Sequence, residues 1–74
     1  MDIKIYSTPT CPYCQMAKQY LSAKGHAYTE YDVAKDQAKA DEMVKLSKQM
    51  AVPVIVIDGH LIVGFDKNKI DQYV

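Results

Sequence analysis

The sequence predicts a small α/β domain in which three helices accompany a four-stranded mixed sheet. Residues 3–33 show a strand pattern, a helical pattern and a second strand pattern in turn, and this order implies a right-handed crossover between two parallel strands. Asp58-Gly59 lies between two runs of β-forming residues, which is the strongest short-range signal for an antiparallel hairpin. With 74 residues the chain is near the lower size limit for an independent core, and we expect one domain over residues 1–74.

The first strand and the first helix are predicted from the spacing of their apolar residues. The first set of alternating residues is Ile3, Ile5 and Ser7 and the second is Lys4, Tyr6 and Thr8, which predicts a short strand that ends at Pro9. A helical pattern follows over residues 12–24, and Gly25 lies where a left-handed C-cap residue is expected. The inward stripe of this helix is Cys14, Ala17 and Leu21. The residues outside the stripe include Gln15, Lys18, Gln19 and Ser22.

The second half of the chain supplies the remaining elements. A second strand is predicted within residues 26–33, and a second helix within residues 35–48. The inner stripe of that helix is Ala40, Met43, Val44 and Ser47, with Met50 closing the turn after it. The run 52–57 is the most apolar in the chain and predicts a buried central strand, with Pro53 at its first residue because proline cannot donate to the ladder. Asp66 is a natural N-cap for a last short helix.

Composition limits the classes of partner and compartment. Nine basic and nine acidic residues balance without a run of one sign, which argues against nucleic acid or an anionic membrane as a partner. The first residues lead directly into a strand pattern, so we expect neither a signal peptide nor a membrane span. Two closely spaced cysteines without a further disulfide framework suit the reducing cytoplasm, and we expect a cytoplasmic monomer.

The two cysteines, Cys11 and Cys14, carry the chemistry that the sequence predicts. They lie two residues apart, at the point where the first strand gives way to the first helix. Pro12 suits the first helical position, and a helix N-terminus favours an anion such as the thiolate that attacks a disulfide. We therefore predict that Cys11 is the exposed nucleophile. Cys14, one turn later, is predicted to be the less exposed thiol that resolves the mixed disulfide.

Other roles for the cysteine pair are less consistent with the spacing. A structural disulfide across two intervening residues closes almost no loop, so it would constrain the unfolded chain very little. A structural zinc site needs four ligands, and only His26 and His60 could join the cysteines, at spacings unlike those of a zinc finger. Redox chemistry without a bound metal is therefore the main prediction.

Three segments resemble the glutaredoxin family. Cys11-Pro12-Tyr13-Cys14 is the active-site tetrapeptide of dithiol glutaredoxins, and residues 5–14 as a whole look like the opening of the short glutaredoxin-like proteins of bacteria and archaea. Ala51-Val52-Pro53 resembles the family's Thr-Val-Pro segment, and Val63-Gly64-Phe65-Asp66 resembles its Gly-Gly-x-Asp segment. The three lie in the order found in the family, and the resemblance covers essentially the whole chain.

The resemblance implies a thioredoxin/glutaredoxin fold with strand order 2-1-3-4 and helices on both faces of the sheet. It also implies that Pro53 is cis and faces the cysteines, and that the backbone of Val52 pairs with an extended substrate. Further contacts to a disulfide substrate or to glutathione are implied for Tyr13, Gly64, Phe65 and Asp66. Glutathione would then be a co-substrate, with no cofactor bound, and the electron source would be the glutathione reductase system.

Three positions depart from the family pattern, and they keep other functions open. Thr8 replaces a lysine that pairs with a glutathione carboxylate in many glutaredoxins, Ala51 replaces a threonine, and Val63 replaces a glycine. One alternative is a redoxin that is reduced by thioredoxin reductase and donates electrons to ribonucleotide reductase. Two others are an iron–sulfur or metal-binding module with Cys11 as a ligand across a dimer, and a redox-sensing interaction domain.

Overall fold

A computed structural model describes residues 2–74 of the chain. The elements in chain order are β1 (Ile3–Ser7), α1 (Pro12–Ala23), β2 (Thr29–Asp32), α2 (Gln37–Ser47), β3 (Val54–Ile57), β4 (His60–Val63) and α3 (Lys67–Tyr73). The four strands form one sheet in the order β2-β1-β3-β4. β1 pairs in parallel with β2, whereas the β1–β3 and β3–β4 pairs are antiparallel. The predicted mixed sheet, its order and the three helices are confirmed.

The larger core lies between the sheet and the helices α1 and α3. Alternate residues of β1, β3 and β4 point to this side, where they meet the buried stripe of α1 and one residue of α3. The buried members are Ile3, Ile5, Ala17, Leu21, Ile55, Ile57, Ile62 and Ile70. The predicted stripe of α1 is confirmed, because Cys14, Ala17 and Leu21 are the buried residues of that helix.

The opposite face of the sheet is covered by α2, which buries Tyr6 on the second face of β1. Tyr6 is buried in a second cluster with Met43 of α2 and Val54 of β3. Its hydroxyl donates to Oε1 of Glu42 at 2.8 Å, which satisfies the polar end of a buried ring. Because β1 lies in the interior of the sheet with a helix on each face, every residue of the strand except the partly exposed Lys4 is buried.

Several predicted boundaries were too wide, and the position of Met50 was wrong. α2 ends at Ser47, and its C-cap residue Lys48 adopts a left-handed φ of 60° and donates its N–H to the carbonyl of Val44. The chain therefore turns away from the helix axis, and Met50 is 80% exposed instead of closing the last turn. Pro53 precedes β3 rather than starting it, since the ladder to β1 begins at Val54.

Residues with left-handed φ values form the turns that the sequence predicts after α1 and between β3 and β4. Asp58 and Gly59 have φ values of 48° and 87°, the left-handed pair that a two-residue hairpin requires, and they join β3 to β4. Gly25 follows α1 with a φ of 80°, as a C-cap glycine should. Within residues 2–74, no helix has the length and apolar character needed to cross a membrane.

Candidate active site

Cys11 lies at the junction of β1 and α1 and is the N-cap of the helix. Its backbone is extended, with φ −91° and ψ 111°, and Pro12 occupies the first turn as predicted. The backbone N–H of Cys14 donates to Sγ of Cys11 at 3.2 Å. The sulfur thus takes the place of the oxygen of a serine or aspartate cap, and it lies where the helix dipole favours negative charge. Cys11 is partly exposed, so a disulfide in solution can reach it.

Cys14 has the opposite surroundings, one turn further along α1. Both cysteines are free thiols, and Cys14 is completely buried. Burial raises the pKa of the Cys14 thiol to about 12, and the hydrogen bond to Cys11 acts in the same direction. The predicted difference in exposure between the two cysteines is confirmed. At neutral pH Cys14 therefore stays protonated in the dithiol form, which leaves Cys11 as the thiol suited to make the first attack.

The segment before β3 brings a second part of the chain against Cys11. The Val52-Pro53 peptide bond is cis, as the resemblance implies. The Cys11 thiol lies 3.9 Å from the carbonyl oxygen of Val52 and donates toward it. On the far side, the N–H of Gly64 donates to the carbonyl of Pro53 at 2.8 Å, which ties the segment after β4 to the same place. The segment before β3 therefore contacts the sulfur of Cys11 and also the segment that follows β4.

The rings of Tyr13 and Phe65 differ in solvent exposure. Tyr13 is 61% exposed on the first turn of α1, and its ring is open to an incoming molecule. Phe65 is half-buried and packs edge-on against Tyr20, with the ring centroids 5.8 Å apart. The ring of Phe65 is thus held against α1, while Tyr13 remains available at the surface next to Cys11.

Asp66 caps α3, as the sequence predicts. Its Oδ1 accepts from the backbone N–H groups of Asn68 and Lys69, at 3.1 and 3.2 Å. The carboxylate is half-buried, so this side chain combines a structural hydrogen-bonding role with access from the surface. Its place directly after Phe65 and Gly64 puts it on the same segment that contacts Pro53.

One charged network near the cysteines was missed from the sequence. Lys18 was assigned to the face outside the buried stripe, yet its side chain is only 13% exposed and its Nζ lies 2.6 Å from Oε2 of Glu30. Oγ of Ser7, which is buried, donates to the same carboxylate oxygen at 2.9 Å. A signal was present: Lys18 is four residues after Cys14, and Ser7 is a polar residue on an inward position of β1.

The described residues offer no ready set of metal ligands in addition to these groups. Across residues 2–74, no three side chains of the His, Cys, Asp or Glu type come together as a metal site. What the arrangement does provide is a pair of thiols of unequal exposure at a helix start. Such a pair is suited to thiol–disulfide exchange.

Comparison with known proteins agrees with this chemistry. The glutaredoxin family model matches residues 3–62. A glutaredoxin-like 8.6 kDa protein in the rubredoxin operon of Clostridium pasteurianum is 53% identical over 72 residues, which cover 97% of this chain and 96% of that protein. Glutaredoxin 3 of Escherichia coli K12 is 43% identical over 65 residues, which cover 88% of this chain and 78% of that protein.

A solved structure supports the same assignment. The thioredoxin-like protein BC3987 superposes with a TM-score of 0.92 at 34% identity, and the match covers 99% of this chain and 100% of that one. The strand order and the three helices are therefore those of the thioredoxin fold. The chain belongs to the glutaredoxin family and is a thiol-disulfide oxidoreductase.

Proposed function

We propose that the protein reduces disulfides through a cycle between a Cys11–Cys14 dithiol and a Cys11–Cys14 disulfide. The observation that carries this proposal is the contrast between the two sulfurs: Cys11 caps a helix and is partly exposed, whereas Cys14 is fully buried one turn away. The first sulfur is placed to attack an external disulfide. The second is protected from external disulfides but remains within reach of the first.

The oxidative half of the cycle balances with the substrate disulfide alone, and two molecules of glutathione return the Cys11–Cys14 disulfide to the dithiol. The Cys11 thiolate attacks a substrate disulfide, forming a mixed disulfide and releasing one substrate thiol. Cys14 loses its proton and attacks Sγ of Cys11, which forms the internal disulfide and releases the second substrate sulfur as a thiol. The two cysteines are oxidised by two electrons, and the substrate disulfide is reduced by two.

The segments around Cys11 are suited to hold an extended substrate. We place the substrate between Tyr13 and the Val52-Pro53 segment, because these groups flank the exposed sulfur. Gly64, Phe65 and Asp66 extend the same surface, because the N–H of Gly64 donates to the carbonyl of Pro53. Glutathione, whether free or attached to a protein cysteine, has an extended peptide backbone that can pair with Val52 and an amine that the Asp66 carboxylate can contact.

The compartment, the oligomeric state and the source of electrons follow from the same proposal. The internal disulfide must return to the dithiol, so we place the protein in the reducing cytoplasm as a monomer, with glutathione as co-substrate and no bound cofactor. Disulfides of proteins or of glutathione are its substrates, and the glutathione reductase system is its electron source.

Replacing each cysteine tests the assigned roles. Cys11→Ser is expected to abolish all activity, because it removes the attacking sulfur. Cys14→Ser is expected to accumulate mixed disulfides with protein substrates while still removing glutathione from glutathionylated substrates, a reaction that glutathione itself can complete. Mass spectrometry of the trapped species and a glutathione-coupled assay measure the two effects. Equal loss in both variants on glutathionylated substrates would contradict the roles.

A second candidate is a redoxin reduced by thioredoxin reductase that donates electrons to ribonucleotide reductase. It is favoured by Thr8, Ala51 and Val63, since these positions lack the groups that many glutaredoxins use for glutathione. The oxidised protein should be offered NADPH with glutathione and glutathione reductase, or with thioredoxin reductase alone. NADPH consumption only in the first system supports the glutathione proposal, and consumption only in the second supports the redoxin.

A further inference from the structure

An ion pair held by three elements lies beside the buried cysteine. Lys18 of α1 contacts Glu30 of β2 through Nζ and Oε2, 2.6 Å apart. The hydroxyl of Ser7, at the end of β1, donates to the same oxygen at 2.9 Å. The Lys18 side chain is only 13% exposed, so its ammonium group is held in place, whereas the Glu30 side chain is 43% exposed.

The position of Lys18 on α1 relates this ion pair to Cys14. The two residues are four apart, so their side chains lie on one face of the helix, one turn from each other. Cys14 is fully buried, and an ionic interaction in such surroundings is screened far less than at the surface. The positive charge of Lys18 lowers the pKa of Cys14, against the larger opposing effect of burial.

We infer that Lys18 is a positioning residue for the second half of the cycle, in which its charge stabilises the Cys14 thiolate, and that Glu30 limits this effect by partly neutralising the charge. The inference rests on the proposed function, because it presumes that Cys14 is the resolving thiol. Lys18 touches neither substrate nor sulfur as a reactant, and it keeps its proton throughout. It acts only on the ionisation of Cys14.

The other groups that affect the pKa of Cys14 do not replace Lys18 in this step. In the dithiol, Cys11 raises the pKa of Cys14 through its hydrogen bond and its charge, and the backbone of Thr8 lowers it. In the mixed disulfide, Cys11 has no ionisable proton, so its charge no longer opposes the thiolate. From the side of β2, Glu30 and Tyr28 interact with Lys18 itself. Among the described residues, Lys18 is then the ionisable group that acts on Cys14 in the step where Cys14 must ionise.

The step that Lys18 assists is an internal displacement. The proton of Cys14 passes to water, and the resulting thiolate attacks Sγ of Cys11. The bond between Cys11 and the substrate sulfur breaks as the Cys11–Cys14 bond forms. The substrate sulfur leaves as a thiolate and takes up a proton from water.

The two halves of the cycle can be followed separately with the chromogenic disulfide dithiobis(nitrobenzoic acid). The reduced protein releases one coloured thiolate when Cys11 attacks the reagent, at a rate that depends on reagent concentration. It releases a second when Cys14 displaces the aromatic thiol from Cys11, at a rate that does not depend on that concentration. Stopped-flow absorbance over a range of pH gives both rates for each variant.

Removing the positive charge of Lys18 and removing the negative charge of Glu30 should have opposite effects on the rate of the second phase, in which Cys14 displaces the aromatic thiol. Lys18→Met is expected to slow the second phase about three- to tenfold at neutral pH. The increase of this rate with pH should also shift to higher pH, because the Cys14 thiolate loses a nearby positive charge. Glu30→Gln should accelerate the second phase, because the ammonium charge is no longer neutralised. Lys18→Arg should restore the rate, and the first phase should change little in all three variants.

Lys24→Met is the matched control. Lys24 is also paired with a carboxylate, Asp71, at 2.7 Å, but it lies at the far end of α1. Its replacement should leave the second rate unchanged. A decrease of the same size in Lys24→Met and Lys18→Met would show a general effect of charge or stability, and would overturn the inference.

The remaining outcomes separate this inference from the proposed function. If Lys18→Met and Glu30→Gln both slow the second phase, the ion pair is purely structural and the inference fails. Unchanged rates in both also overturn it. If Lys18→Met does not fold, the sign of the effect in Glu30→Gln still decides. If Cys14→Ser retains the second phase, the resolving role of Cys14, and with it the proposed function, is wrong.

Discussion

Cys11 and Cys14 differ in reactivity because their sulfur atoms meet opposite surroundings within one helical turn. Cys11 Sγ accepts an N–H of the first turn and faces the carbonyl of Val52 from an exposed position. Cys14 points into the core, where burial keeps it protonated. A protected second thiol avoids reacting with external disulfides and is used only after Cys11 has formed a mixed disulfide.

Asp66 combines a structural contact with a proposed binding contact, and two substitutions separate them. Asp66→Ala removes the acceptor of two backbone N–H groups at the start of α3, so it should lower the free energy of unfolding by about 1 kcal/mol. Asp66→Asn keeps a capping oxygen but loses the negative charge. It should retain stability and raise KM for glutathionylated substrates, because the amine of glutathione loses its ionic partner. Urea unfolding and steady-state kinetics measure the two effects.

The KM of Asp66→Asn tests whether Asp66 contacts the substrate. An unchanged KM in a variant of normal stability would show that the carboxylate serves α3 alone, and that the substrate surface ends before Asp66. A KM increase in both variants, with a stability loss in Asp66→Ala only, is the pattern that the structure predicts.

At the scale of elements, α1 combines three functions in one amphipathic helix. Its N-terminus presents Cys11, its inner face buries Cys14 with Ala17 and Leu21, and its second turn carries Lys18. Residues three and four positions apart lie on one face of a helix. Cys14 therefore lies one turn from both the core residue Ala17 and the charged residue Lys18. The site is therefore built on a rigid element, and only the substrate surface comes from loops.

The β3–β4 hairpin depends on a glycine for its backbone alone. Gly59 has φ 87°, and a Cβ added there would meet no atom within 4 Å. Gly59→Ala should therefore cost about 1 to 2 kcal/mol of unfolding free energy, from the left-handed conformation and not from a clash. Gly59→Asn should cost clearly less, because asparagine tolerates this region. Equal losses in the two variants, measured by urea unfolding, would show a steric cause instead.

At the scale of the whole molecule, stability rests on a sheet that is covered on both faces. Ile55 of β3 lies in the centre of the larger core and is fully buried. Ile55→Ala should lower the free energy of unfolding by about 2 to 5 kcal/mol, a large share of the roughly 5 to 15 kcal/mol that a domain possesses. Ile55→Val removes one methyl group and should cost about 0.5 to 1.5 kcal/mol. Denaturant midpoints of both variants test the order.

Most of the architecture was predictable because it follows from local rules. The hairpin was predictable from Asp58-Gly59, the start of α1 from Pro12, and the cap of α3 from Asp66. The burial of Tyr6 was not predicted and Met50 was assigned wrongly, since the periodicity of a segment does not reveal which other element covers it. The placement of α2 over one face buried Tyr6, and the left-handed residue Lys48 turned the chain and left Met50 exposed.

The sequence by itself determined the cysteine pair, its place at a helix start and the order of the elements, because spacing, capping and turn chemistry act between neighbouring residues. Local rules do not reveal what surrounds the sulfurs: only the family resemblance indicated the Val52-Pro53 segment, and only the tertiary structure showed the charged pair near Cys14. Val52 reaches Cys11 from 41 positions away, and Glu30 reaches Ser7 from 23 positions away. Such contacts arise when packing of the core closes the chain on itself, and the charge that acts on Cys14 is therefore visible only in the fold.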